Sequence, residues 1–227
     1  MPKRLAIIPA RGGSKRIKLK NIKKFLGKPL IYYTLQAAKK SKLFEKIHVS
    51  TESQKIEREI NKMGLKVDFS RPKHLSSDKI PISKVIQFVV NKYLKDEKSK
   101  FDEIWLLYAT NPFIKHSYLQ KANRSYKKNK YQFSIMAVTK YNLPIFWSLK
   151  TNKKKILAPI FKSKINSDSK NYKNIYCDAG MFVVYQKDCF YNKGIKPKYK
   201  KFEIPWWQSV DIDNIEDFET AKKLFNL

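Results

Sequence analysis

Short apolar runs alternate with stretches of helical period along much of this chain, and that alternation restricts the fold more than any other feature. Leu5-Ala6-Ile7-Ile8 ends at Pro9 and a glycine-rich basic loop, the way a buried parallel strand feeds a loop. A helix is expected from Pro29 to about Lys40, with Leu30, Thr34, Leu35 and Ala38 on its apolar face. Ile47 to Ser50 is a second strand. Ser53 is placed to cap a helix over Gln54 to Met63, which Gly64 ends before a short strand at Leu65 to Phe69. Ser83 to Leu94 is again amphipathic, Ile104 to Tyr108 is a buried strand, and Met181 to Tyr185 returns to strand. Asp213-Asn214 opens a last helix over Glu216 to Phe225. Strands alternating with helices predict an α/β protein with a doubly wound, mainly parallel sheet.

With 227 residues, 42% hydrophobic and 14% aromatic, the chain can bury one sizeable core, so a single domain over residues 1–227 is expected. An excursion at about 142–176 breaks the rhythm with Pro144, Pro159 and a lysine-rich patch. It reads as a lid, a dimerisation arm or a loose loop.

The formal net charge is +30. Six of the 49 basic residues are Arg, and the lysines are spread over every segment among Asn and Ile. Nucleic-acid readers concentrate basic residues on one element and interleave aromatics, so a compositional bias is the preferred reading and no nucleic-acid partner is expected. The field still favours triphosphate and carboxylate substrates. Cys177 and Cys189 lie outside any Cys-x-x-Cys or Cys/His pattern, and His48, His74 and His116 are scattered. Zinc sites and Ser-His-Asp chemistry are thereby disfavoured. Neither a membrane-length apolar stretch nor a secretory segment is present, so a cytoplasmic protein without a membrane partner is expected.

Two constellations carry chemistry. Pro9-Ala10-Arg11-Gly12-Gly13-Ser14-Lys15-Arg16, followed by Lys20-Asn21, has two glycines that let backbone amides approach a polyphosphate while Arg11, Lys15 and Lys20 neutralise it. The Walker A spacing is absent, and a plain basic surface turn is the alternative. Asp211-Ile212-Asp213 is the second. In an extended segment both carboxylates face one side while Ile212 points inward, and such hard oxygens suit Mg²⁺. The alternative is a solvated acidic turn that caps the last helix.

The string Ile7 to Lys15 with Lys20-Asn21, Val49-Ser50-Thr51, Arg71-Pro72 with Leu75-Ser76-Ser77-Asp78, and Val210 to Asp213 together resemble the signature of the acylneuraminate cytidylyltransferases, in order and along nearly the whole chain. The resemblance implies a Rossmann-like nucleotidyltransferase fold that joins CMP from CTP to a nonulosonic acid with Mg²⁺ and releases pyrophosphate. It places Ala10, Arg11, Gly12, Gly13, Ser14, Lys20, Asn21 and Arg71 around the nucleotide, with Arg71 near the cytosine or, alternatively, in a structural ion pair. Ile80-Pro81-Ile82 departs from the pattern and leaves Ser83 as the nearest hydroxyl. Arg11, Lys20 and Asp211 would serve catalysis, and Asp211 and Asp213 would hold the metal.

Tyr108, and Asp178-Ala179-Gly180 with Phe182, resemble the pseudaminic acid branch, so Tyr108, Asp178 and Phe182 are the expected sugar contacts. Cys177 and Met181 replace a His and a Gln of that branch. N-acetylneuraminic, legionaminic and 3-deoxy-octulosonic acids are the alternative acceptors, and a non-enzymatic polyanion binder is the competing class. The resemblance also implies a homodimer built with the excursion, in which Ile145, Phe146 and Trp147 anchor the interface.

Overall fold

The computed structural model describes residues 2–96, 99–141, 145–164, 175–191 and 195–226. Leu5 to Ile8 become β1 (Arg4–Pro9), which lies between β4 (Lys46–Ser50) and β5 (Glu103–Leu107) and is parallel to both. Beyond β5 comes β9 (Tyr176–Gln186), antiparallel to β5 and to β6 (Ser134–Lys140), and β10 (Tyr199–Glu203) closes the sheet parallel to β6. The sheet order is therefore β10-β6-β9-β5-β1-β4, mainly parallel as expected.

Because both faces of the sheet are covered, β1 needs no polar alternation. Ala6 and Ile8 face one core, Leu5 and Ile7 the other, and all four are fully buried. The first core takes side chains from α1 (Leu30–Ser41), α2 (Gln54–Lys62), α4 (His116–Lys128) and α6 (Ile215–Phe225). The second is packed by α3 (Ile82–Asp96), through Ile86, Val89, Val90 and Tyr93. A small hairpin of β2 (Lys24–Phe25) and β3 (Lys28–Pro29) leads into α1, with Pro29 just before the first helical turn.

The expected strand at Leu65–Phe69 is absent. After Gly64, whose φ of +70° ends α2, side chains tie this segment down where a ladder was expected. Val67 is buried, Asp68 pairs with Lys46 and accepts the Tyr93 hydroxyl, and Phe69 stacks on His48 at 4.3 Å. Among the described residues the outer edge of β4 thus has no partner strand.

Of the 142–176 excursion, residues 142–144 and 165–174 lie outside the described residues. Its described part holds a 3-10 turn at Ile145–Trp147 and a hairpin of β7 (Leu149–Thr151) and β8 (Leu157–Pro159). Phe146 packs edge-on against Phe161 at 5.2 Å, while Trp147, Leu149, Ile156, Leu157 and Ile160 stay exposed.

The topology places the carboxyl ends of β1, β4, β5 and β6 and the amino end of β9 along one edge. Near that edge β9 is bulged: Val138 pairs with Asp178, yet Met136 pairs with Val183. The bulge spans Gly180, at φ +57°, and re-aims Asp178 to Gly180 towards the segment that carries Asp211. A Cβ on Gly180 would lie 3.4 Å from the Asp211 side chain.

Candidate active site

Two segments with no sequence proximity, the loop after β1 and the approach to α6, meet at this edge around a cavity of about 280 Å³. Lys20 joins them. Its ammonium donates to the Ile212 carbonyl and to Asp213 Oδ1 at 3.0 Å, while Arg16 Nη2 donates to Asp213 Oδ2 at 2.6 Å. Burial opposes ionisation of Asp213, but Lys20 and Arg16 outweigh it and hold the carboxyl below its ordinary range. Leu19, immediately before Lys20, sits in the left-handed region at φ +52°, a strained conformation for a non-glycine residue.

Asp213 is not the cap of α6. Asn214 and Asp217 form a reciprocal capping box: Asn214 Oδ1 accepts the Asp217 amide at 2.9 Å, and Asp217 Oδ2 accepts the Asn214 and Asp213 amides. The Asp213 carboxylate is thereby spared from capping and is held instead by Lys20 and Arg16 at the cleft. Ile212 is fully buried in the first core, as the alternation within Asp-Ile-Asp requires.

On the loop side, Arg11 pairs with Asp78 Oδ1 and Lys15 Nζ lies 2.9 Å from Asp78 Oδ2, and together they lower the pKa of that exposed carboxyl. Asn21 fixes the loop from beneath, with Nδ2 donating to the Arg11 carbonyl at 3.0 Å. The cations of the loop are therefore counterbalanced by two carboxylates, Asp78 and Asp213.

Asp211 borders the cleft from the β5 side. Its Oδ1 accepts the Thr110 hydroxyl at 3.0 Å, and Thr110 itself lines the cavity. Asp211 is reached by solvent, yet the protein crowded around it removes enough water to raise its pKa. Asp178 is raised the same way, and the charge of Asp211 adds to the shift. Tyr108 completes this group: burial, then Asp178 and Asp211, push its phenol well above the ordinary tyrosine range. It is a neutral hydroxyl, a donor rather than a base. Its backbone is held by Met181 and by the Thr34 hydroxyl.

Of the residues singled out in the sequence, Arg11, Ser14, Lys20, Asn21, Arg71 and Asp213 all line the cavity, and Tyr108, Asp178 and Asp211 gather beside it. Others are placed differently. Ala10 is fully buried, its amide donating to the Ser50 carbonyl. The Gly12 amide is taken by Glu52, whereas a Cβ on Gly13 would meet open space. Ser83 is exposed on the first turn of α3 and does not line the cavity, although Ile82 and Val85 do. Phe182 is corrected as a sugar contact. It lies fully buried in the first core against Trp105 and Phe202, because a strand flanked on both sides turns every second residue into one core. Arg71 is buried and pairs with Glu52 at 2.9 Å, so the ion-pair alternative describes its geometry, and it still faces the cleft. Sequence reasoning missed Glu52 and Thr110. The signal for Thr110 was its place two residues past Tyr108, just beyond the carboxyl end of a core strand.

The family described as Cytidylyltransferase matches residues 5–225. Pseudaminic acid cytidylyltransferase of Campylobacter jejuni subsp. jejuni serotype O:2 is 34% identical over 227 residues, covering 99% of this chain and 97% of the relative. CMP-N,N'-diacetyllegionaminic acid synthase of Legionella pneumophila subsp. pneumophila is 31% identical, covering 98% of this chain and 96% of that one. Among solved structures, CMP:2-keto-3-deoxy-manno-octonic acid synthetase complexed with CTP superposes with a TM-score of 0.71 at 16% identity, covering 99% of this chain and 98% of that chain. Fold and family matches define a nucleotidyltransferase with a Rossmann-like sheet. The chain belongs to the cytidylyltransferase family.

Proposed function

We propose that this enzyme transfers CMP from CTP to the anomeric hydroxyl of a nonulosonic acid, with pseudaminic acid the preferred acceptor. The observation that carries this reading is the bridge from the basic loop to Asp211-Ile212-Asp213 through Lys20, which puts phosphate-neutralising cations and a pair of hard carboxylates in one cleft. The acceptor oxygen attacks the α-phosphorus, the bond from that phosphorus to the bridging oxygen breaks, and pyrophosphate leaves with the charge.

Asp211 and Asp213 are the residues that would hold Mg²⁺. Burial first, and neighbouring carboxylate charge second, disfavour the ionised forms of Asp211 and Asp178, a cost that a bound hard cation would offset, while Lys20 and Arg16 already neutralise Asp213. When bound, the ion would neutralise charge on the triphosphate. Arg11 and Lys15 exchange Asp78 for phosphate oxygens, and Lys20 turns from Asp213 to the same group. Asp211 would take the hydroxyl proton either directly or through a water. Tyr108, kept neutral, donates a hydrogen bond towards the acceptor beside Asp178.

The preference for pseudaminic acid is supported by the identity and full coverage of the Campylobacter relative and by Tyr108 and Asp178-Ala179-Gly180 at the acceptor side. Pseudaminic acid carries a C9 methyl in place of a hydroxyl, and a site shaped for one pattern of polar groups discriminates strongly. We expect kcat/KM for pseudaminic acid to exceed that for N-acetylneuraminic acid in side-by-side assays. Equal values or the reverse order would overturn the acceptor assignment and leave the cytidylyl chemistry intact.

A homodimer formed through the excursion is part of this proposal. Its described hairpin exposes Trp147, Leu149, Ile156, Leu157 and Ile160, more apolar surface than a solvated turn needs. Light scattering at micromolar concentration should give twice the chain mass of 26.9 kDa, and a monomer would contradict it. Among the described residues no helix is long and apolar enough to cross a membrane, and a cytoplasmic site of action is proposed with the CTP requirement.

A further inference from the structure

Glu52 belongs to no expected site, yet it is a half-buried acid whose carboxylate is fully engaged at the back of the cleft. Its Oε1 accepts the Gly12 amide at 2.7 Å and its Oε2 accepts Arg71 Nη2 at 2.9 Å. The three segments involved are stitched together by backbone bonds as well: Ala10 N donates to Ser50 O at 2.9 Å and Arg71 N to Thr51 O at 2.8 Å. The fit at Gly12 is tight, since a Cβ there would stand 2.8 Å from the Cβ of Ser53. Arg71 has only 3% of its side chain exposed and its Nε is buried with no hydrogen-bond partner. Leaving such a donor unmet is costly, and the guanidinium is kept in this pose by Glu52, the one carboxylate paired with it among the described residues.

We propose that Glu52 is a positioning residue that locks the phosphate loop and Arg71 to one carboxylate, and so sets the distance between the site's grip on the triphosphate and its grip on the base. This rests on the reading of the cleft as a CTP site. Burial opposes ionisation of Glu52, but the Gly12 amide and Arg71 overcome it and hold the carboxyl below its ordinary range, so the lock carries its charge at neutral pH. A loop amide spent on Glu52 is unavailable to phosphate. The role of Gly12 is therefore to let the chain press against Glu52-Ser53, while the ligand is met by Arg11, Ser14 and Lys15 on the cavity wall.

The test is nucleotide binding by calorimetry on the full chain without acceptor, with CTP and UTP as probes. Glu52→Gln keeps an oxygen for the Gly12 amide and removes the charge that orients Arg71. It should weaken CTP binding about ten-fold or more and shrink the CTP-to-UTP ratio, because a charge-assisted bond has become a neutral one. Combining it with Arg71→Met should cost no more discrimination than Arg71→Met alone, since one residue acts through the other. A purely structural Glu52 would give additive losses and an unchanged CTP-to-UTP ratio, and that result overturns the proposal. Glu52→Asp, which keeps the charge but draws it back by one methylene, provides a second variant with the same expected direction. If the unmodified enzyme fails to prefer CTP over UTP, the CTP reading itself falls.

Discussion

Asp211→Asn should slow pyrophosphate release by about a hundred-fold or more while leaving the protein folded, because it removes a charge that acts on the phosphates as the bond breaks. The site makes this a clean substitution. Asp211 accepts a hydrogen bond from Thr110, which an amide oxygen can still do, and its neighbour Ile212 stays anchored in the core. Capping of α6 rests on Asn214 and Asp217, so the helix loses nothing. Removal of a like charge should also bring Asp178 back towards the ordinary aspartate range. The measurement is kcat at saturating CTP and acceptor beside a thermal melt. A folded variant with near-normal kcat would show that the motif is only architectural.

Lys20→Met is expected to be as damaging, by about a hundred-fold in turnover. Lys20 is only 14% exposed, is bonded at its ammonium to the segment that carries the carboxylates, and follows a residue held in a strained conformation. Loss of the charge leaves Asp213 to Arg16 alone and removes a cation from the point where negative charge collects on the leaving group. Kinetics with varied CTP should show kcat falling along with kcat/KM. A rise in KM with kcat unchanged would reduce Lys20 to ground-state binding.

The doubly wound sheet was legible because β1 and β5 carry short apolar runs with no alternation, which a sheet covered on both faces requires, whereas the edge strand β4 alternates Lys-Ile-His-Val-Ser. The last helix was legible through its Asn-x-x-Asp entry. α4 was not recognised, since it buries only Leu119, Ala122, Asn123 and Tyr126 among lysines and other polar residues. β10, an exposed edge strand of Tyr-Lys-Lys-Phe-Glu, has no strong pattern either.

At the site, Arg11, Ser14, Lys20 and Asn21 reach the cavity because one loop carries them, while Ala10, Gly12 and Gly13 of that loop do not line it. Phe182 failed because the bulge at Gly180, which decides the face of every later residue in β9, has no local signature strong enough to count through. Glu52 was invisible for another reason. Its partners lie 40 and 19 residues away in sequence, so in isolation Thr-Glu-Ser reads as a surface turn.

The central claim is tested most directly by following pyrophosphate release from the purified enzyme with each nucleoside triphosphate in turn, with and without pseudaminic acid, and with and without a chelator of Mg²⁺. The account predicts release only when CTP, the nonulosonic acid and the divalent ion are all present. Release that proceeds without the sugar acid, or equally from any triphosphate, would contradict it.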